Sequence, residues 1–126
     1  MRPTTLTEVA ALVAQDDSFD RCLANFLDEF YLSPGAAALA DEPPLLAPHQ
    51  GEQGRIQDAY LAATADELAR RFDLPTPAWT ASGSRALRRP WFASPLAALR
   101  AALILESPPA FRARNPFVSA NALSRA

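Results

Sequence analysis

Residues Arg55 to Phe72, RIQDAYLAATADELARRF, decide the fold. Leu61, Ala65, Leu68 and Phe72 recur at helical spacing, and Ile56, Tyr60 and Ala63 form a neighbouring row. That periodicity predicts a long helix over Arg55 to Phe72 with one broad apolar face. Asp66 precedes Arg70 by four residues, and Glu67 precedes Arg71 by four. Both are acid-first pairs that support a helix by a few tenths of a kcal/mol, at about 0.2–0.5 each.

Upstream, residues 42–54 hold three prolines and two glycines and read as a loop. Ser33-Pro34 offers a side-chain cap followed by proline at a first helical position, so a short alanine-rich turn or helix is expected to start there and end near Asp41. Before it, Phe19, Leu23, Phe26 and Phe30 repeat at helical spacing, with Cys22 and Leu27 widening the stripe. Asp17 or Ser18 caps that helix, which runs to about Leu32. Thr5 with Glu8 three residues later forms a capping-box pattern and opens a helix over Leu6 to Gln15.

Downstream, residues 73–85 hold two prolines, a glycine and Trp79, and read as irregular. Ser94-Pro95 and Ser107-Pro108 repeat the cap-then-proline device. Between them, Leu96 to Glu106 is apolar nearly all round, with Arg100 as the interior exception. Such a helix is either central to the core or covered by a partner. A short helix over Ala110 to Arg114 and a very short extended piece at Phe117 and Val118 complete the pattern. No strand-length alternating segment and no internal repeat occurs. The expected fold is all-α, a compact bundle of short proline-punctuated helices that leaves room for a minor β element near the C-terminus.

At 126 residues with 49% hydrophobic content, the chain matches one globular domain, spanning 1–126. Its net charge of −2 hides two unlike halves. Residues 1–67 carry twelve acids against three arginines; residues 68–126 carry nine arginines against two acids, Asp73 and Glu106. Such asymmetry points to a nucleic-acid or acidic-protein partner. All twelve basic residues are arginine, a bias that the base composition of a GC-rich genome explains without function. Each is nonetheless a permanently charged planar fork suited to carboxylates, phosphates and aromatic faces.

Most catalytic chemistry lacks its residues here. Cys22 is the single cysteine and His49 the single histidine, 27 positions apart, which excludes an intramolecular disulfide and any zinc-ligand spacing. His49 sits in the proline-glycine loop with nothing nearby to orient it as a base. The acid cluster Asp16, Asp17 and Asp20 coincides with a helix start, where the helix dipole favours negative charge. Asp28 and Glu29 read as a solvated face or an acidic surface for another chain. Gly51-x-x-Gly54 lacks the lysine, the hydroxyl and the preceding strand of a phosphate loop. No enzyme, metal or cofactor is expected. No signal peptide or bilayer-spanning run is evident, so a cytoplasmic protein with no membrane partner is the default expectation.

The arginine-rich half carries the functional signal. Arg85, Arg88 and Arg89, followed by Trp91 and Phe92, interleave charge with aromatic surface, and Phe111, Arg112, Arg114, Asn115 and Phe117 do so again. These residue types dominate protein–protein hot spots and also stack on bases and neutralise phosphates. The segments AYLAATADELARRFDLPTPAW (Ala59 to Trp79), RRPWFASPLAALRA (Arg88 to Ala101) and ESPPAFRARNPFVSANALSRA (Glu106 to Ala126) resemble short bacterial proteins, and the tails of some helix-turn-helix regulators, encoded beside nucleotidyltransferase-like genes. Those gene pairs look like toxin–antitoxin modules. The resemblance covers residues 59–126, and its most specific part is Phe111-Arg112-x-Arg114-x-x-Phe117-Val118.

What the resemblance implies is a non-enzymatic antitoxin or accessory subunit that occludes the partner's acidic active site. Arg112 and Arg114 would then pair its carboxylates while Phe117 and Val118 anchor the contact, with Arg88, Arg89, Trp91 and Asn115 beside them. The acidic half holds no basic recognition helix, so operator binding through residues 1–55 is not expected. The second expectation is nucleic-acid binding by the arginine-rich half; the third is self-association of unlike halves.

Overall fold

The computed structural model describes residues Arg2 to Arg125; Met1 and Ala126 lie outside the described residues. It is built from six α-helices: α1 (Leu6–Ala14), α2 (Phe19–Leu32), α3 (Ala37–Ala40), α4 (Ala47–Arg71), α5 (Arg100–Glu106) and α6 (Pro109–Arg112). Two short strands, β1 (Trp91–Phe92) and β2 (Pro116–Phe117), pair in parallel with Trp91 opposite Pro116. The all-α expectation holds, minor β element included.

Local chemistry sets the first two helices as their sequences indicate. Thr5 and Glu8 form the complete capping box of α1, and the Ser18 hydroxyl accepts the Arg21 N–H at the start of α2. Asp16 (φ 71°) ends α1 and Asp73 (φ 55°) ends α4 in the left-handed region, where glycine is the usual choice. In each case the next residue's N–H returns to the helix: Asp17 to Leu12 at 3.1 Å, Leu74 to Ala69 at 2.7 Å. No glycine marks these stops, which is why the pattern alone placed them only approximately.

α4 runs through the centre of the molecule. Leu61, Ala65 and Leu68 are buried against α1, α2 and the C-terminal segment, and Tyr60 packs edge-on to Phe111 at 4.9 Å. Small residues at Ala59, Ala62, Ala63 and Ala69 let neighbours approach it from several sides. The all-round alanine content therefore serves close packing.

Several expectations need correction. Residues 42–54 are not a loop throughout: a helical turn starts at Ala47, and α4 resumes directly after Gly51. Gly51 (φ 61°, ψ −133°) breaks the helix in a conformation that only glycine adopts at low cost. Gly54 is required for a different reason. A Cβ there would lie 2.5 Å from the Leu46 carbonyl carbon and oxygen, so the turn packs backbone-to-backbone on α4.

Two serine caps are reassigned as well. Ser33 ends α2 instead of opening a helix, and α3 starts at Ala37 without a side-chain cap. The Ser107 hydroxyl accepts the Val118 N–H (2.7 Å) and donates to the Val118 carbonyl (2.8 Å), stitching two segments together. On α4, Glu67 pairs with both Arg71 (2.9 Å) and Arg70, because Asp66 is engaged elsewhere. The segment 96–106 is only partly α-helical: a 3-10 turn over Ala97–Leu99 leads into α5.

Candidate binding surface

The C-terminal tail, where the arginines and aromatics converge, is largely consumed by the fold. Phe111 and Val118 are fully buried. The Arg114 guanidinium pairs with Asp66 (2.9 Å) and donates to the carbonyls of Thr80 (2.9 Å) and Ala110 (2.8 Å). Asn115 (φ 76°) donates its side-chain amide to the Leu87 carbonyl at 2.7 Å, and its own carbonyl accepts Trp91 N–H at 2.9 Å. Phe117 stacks on Phe92 at 5.3 Å. Only Arg112 of that group stands exposed without an ion pair among the described residues. Val118 is thus a core residue, and Arg114 is clasped within the fold by Asp66 and two backbone carbonyls. The sequence alone does not separate a surface arginine from one whose acid lies 48 positions away.

The same holds for much of the charge split. Arg85 is completely buried. It donates to the Pro43 carbonyl and pairs with Glu42 (3.2 Å), with the Asp58 carboxylate 3.7 Å away. Asp58 in turn accepts the N–H groups of Leu46 (2.7 Å) and Ala47 (3.1 Å), and Trp79 lies 4.9 Å under the Arg85 guanidinium. Arg125 pairs with Asp28 at 2.8 Å and holds that carboxyl below its ordinary range, assisted by Arg2. Arginines of one half therefore bind acids of the other. Arg55, Arg88, Arg89, Arg100 and Arg112 remain without an ion pair among the described residues.

What stays open is the stretch 86–105. From Ala86 to Leu105 there is no acid, and nearly every residue is at least partly exposed, with Leu103 the one buried member. Leu96 (60%), Leu99 (44%), Ile104 (44%) and Leu105 (79%) face solvent, four of the five large exposed apolar side chains among the described residues. Successive positions turn by about 100° around a helix, so once Leu103 points inward, Ile104 and Leu105 must point out. No polar face exists to take their place. This arm leaves the body at β1 and returns at Ser107, and its α5 packs chiefly on the 3-10 turn before it. Arg100 folds back over the Phe92 ring at 5.1 Å.

The sequence offered two fates for this segment, core or covered surface, and the structure excludes the first. The signal that would have separated them is the missing polar face combined with the acid-free run around it. Of the other expected contact residues, Arg88 and Arg89 are exposed and Trp91 half-buried at the root of the arm.

Cys22 is buried, which raises its thiol pKa and makes it a poor nucleophile. Burial between Phe19 and Phe111, with Asp20 nearby, pushes the Tyr60 phenol up to about 12. His49 is exposed. Among the described residues no group of three or more His, Cys, Asp or Glu is placed to hold a metal ion, and no helix is long and apolar enough to cross a membrane. The chain matches no family model, no curated protein and no solved structure.

Proposed function

We propose that this chain is a non-enzymatic protein-binding subunit and that the 86–105 arm is its contact surface. The exposure of Leu96, Leu99, Ile104 and Leu105 on a single protruding segment carries this reading. Fully burying a leucine-sized side chain contributes about 1.5–3 kcal/mol, so four together supply the apolar centre of a stable interface.

The charge pattern selects the partner. Arg88, Arg89 and Arg100 accompany the apolar residues and no carboxylate opposes them, so the complementary surface is an apolar groove with an acidic rim. The resemblance of residues 59–126 implies a nucleotidyltransferase-like partner whose active site is acidic, and such a site would supply that rim. Occlusion by the arm replaces occlusion by the tail, because Arg114 and Val118 are already engaged within the fold. Nucleic-acid binding is the weaker reading, since Arg70, Arg71, Arg85, Arg114 and Arg125 are offset by carboxylates of the same chain.

The test is co-expression with the product of the neighbouring gene followed by gel filtration. Wild type is expected to elute with the partner, whereas the Leu99→Asp, Ile104→Asp, Leu105→Asp triple variant elutes alone. Separate peaks for the wild type at micromolar concentration overturn the proposal.

A further inference from the structure

A cleft of about 520 Å³ opens behind the root of the arm, between the first full turn of α4 and the loop that follows Arg85. It falls within the range of small-molecule sites, about 300–1,000 Å³. Arg55, Arg88 and Arg89 line it, and none is paired with an acid among the described residues. Trp91, Leu87 and Ile56 supply apolar wall.

The loop bearing two of these arginines is held at both ends. Arg85 is locked into the core by Glu42 and the Pro43 carbonyl. Leu87 N–H donates to the Arg114 carbonyl and Trp91 N–H to the Asn115 carbonyl, each at 2.9 Å. Arg88 and Arg89 therefore sit on a short span pinned before and after, and they line the same cleft as Arg55. Asp58 lies in the wall, but its carboxylate is occupied by two backbone N–H groups with Arg85 beside it. Glu52 is the one uncompensated acid.

We infer that this cleft binds a phosphorylated small molecule of the nucleotide class. Three unpaired guanidinium forks around one cavity suit a ligand with several anionic oxygens, since a single carboxylate satisfies only one fork. Trp91 offers an aromatic surface for a planar base, and Glu52 an acceptor for an amino or hydroxyl group. The site shares Arg88, Arg89 and Trp91 with the root of the arm, but Leu99, Ile104 and Leu105 do not line it. The Leu99→Asp, Ile104→Asp, Leu105→Asp variant should therefore lose the protein partner and keep ATP, which separates failure of this inference from failure of the protein-binding proposal.

Calorimetric titration of the full chain with ATP, tripolyphosphate and adenosine in separate runs tests the inference. ATP is expected to bind most tightly and tripolyphosphate more weakly, with adenosine showing no measurable heat. The Arg88→Ala, Arg89→Ala double variant should weaken ATP binding by roughly tenfold or more, the loss of one or two charge-assisted hydrogen bonds. Its circular-dichroism melt should match wild type, because neither side chain holds the fold. Glu52→Ala removes both the acceptor and a negative charge from the cleft, so tripolyphosphate should bind at least as tightly as to wild type and the preference for ATP over it should narrow. Absence of ATP binding up to about 1 mM, equal binding of ATP and adenosine, or an unaffected double variant overturns the inference.

Discussion

Arg85 shows how much one side chain decides. It sits inside an arginine-rich run, yet it is fully buried and ties residues 42–43, α4 and Trp79 into one knot. Removing one partner of a buried ion pair typically costs about 3–5 kcal/mol, because the remaining charge is left uncompensated. Arg85→Ala is expected to lower unfolding stability by that order in urea denaturation, while Arg88→Ala and Arg89→Ala leave it within about 0.5 kcal/mol. Nothing in the local sequence distinguishes Arg85 from its neighbours. Its partners lie 43 and 27 positions upstream, and proximity in the chain does not reveal them. Thr5, Glu8 and Ser18 were legible for the opposite reason: each bonds within three or four residues.

Among the elements, α4 and α5 contrast two alanine-rich, arginine-containing helices. α4 alternates faces and is packed from several sides, so its apolar rows read directly from the spacing. α5 has no polar face, and periodicity could only offer core or covered surface as its fate. The neighbouring elements decide: Phe111, Val118 and Leu123 fill the core from beyond it, leaving α5 outside. Within α5 the two roles separate by residue. Leu103→Ala should cost about 2 kcal/mol or more, as expected for a buried leucine. Leu105→Ser should shift the urea midpoint little, within about 0.5 kcal/mol, since Leu105 is 79% exposed. A Leu105→Ser variant as destabilised as Leu103→Ala would mean the arm packs on the body.

For the molecule as a whole, the charge asymmetry of the sequence is in large part its folding complement. Arg85 with Glu42, Arg114 with Asp66 and Arg125 with Asp28 dock the arginine-rich half onto the acidic one. Docking brings the tail inward and leaves the apolar arm and its adjoining cleft as the unclaimed surface. Under the proposed function, the contact surface lies some ten residues upstream of the C-terminal tail. Hydrogen exchange, read residue by residue on the free chain and on its complex with the neighbouring gene product, tests that relocation most directly. The expected result is fast exchange over α5 in the free chain and strong protection there in the complex, with 109–118 protected in both. Protection gained at 109–118 while α5 stays unchanged would contradict it.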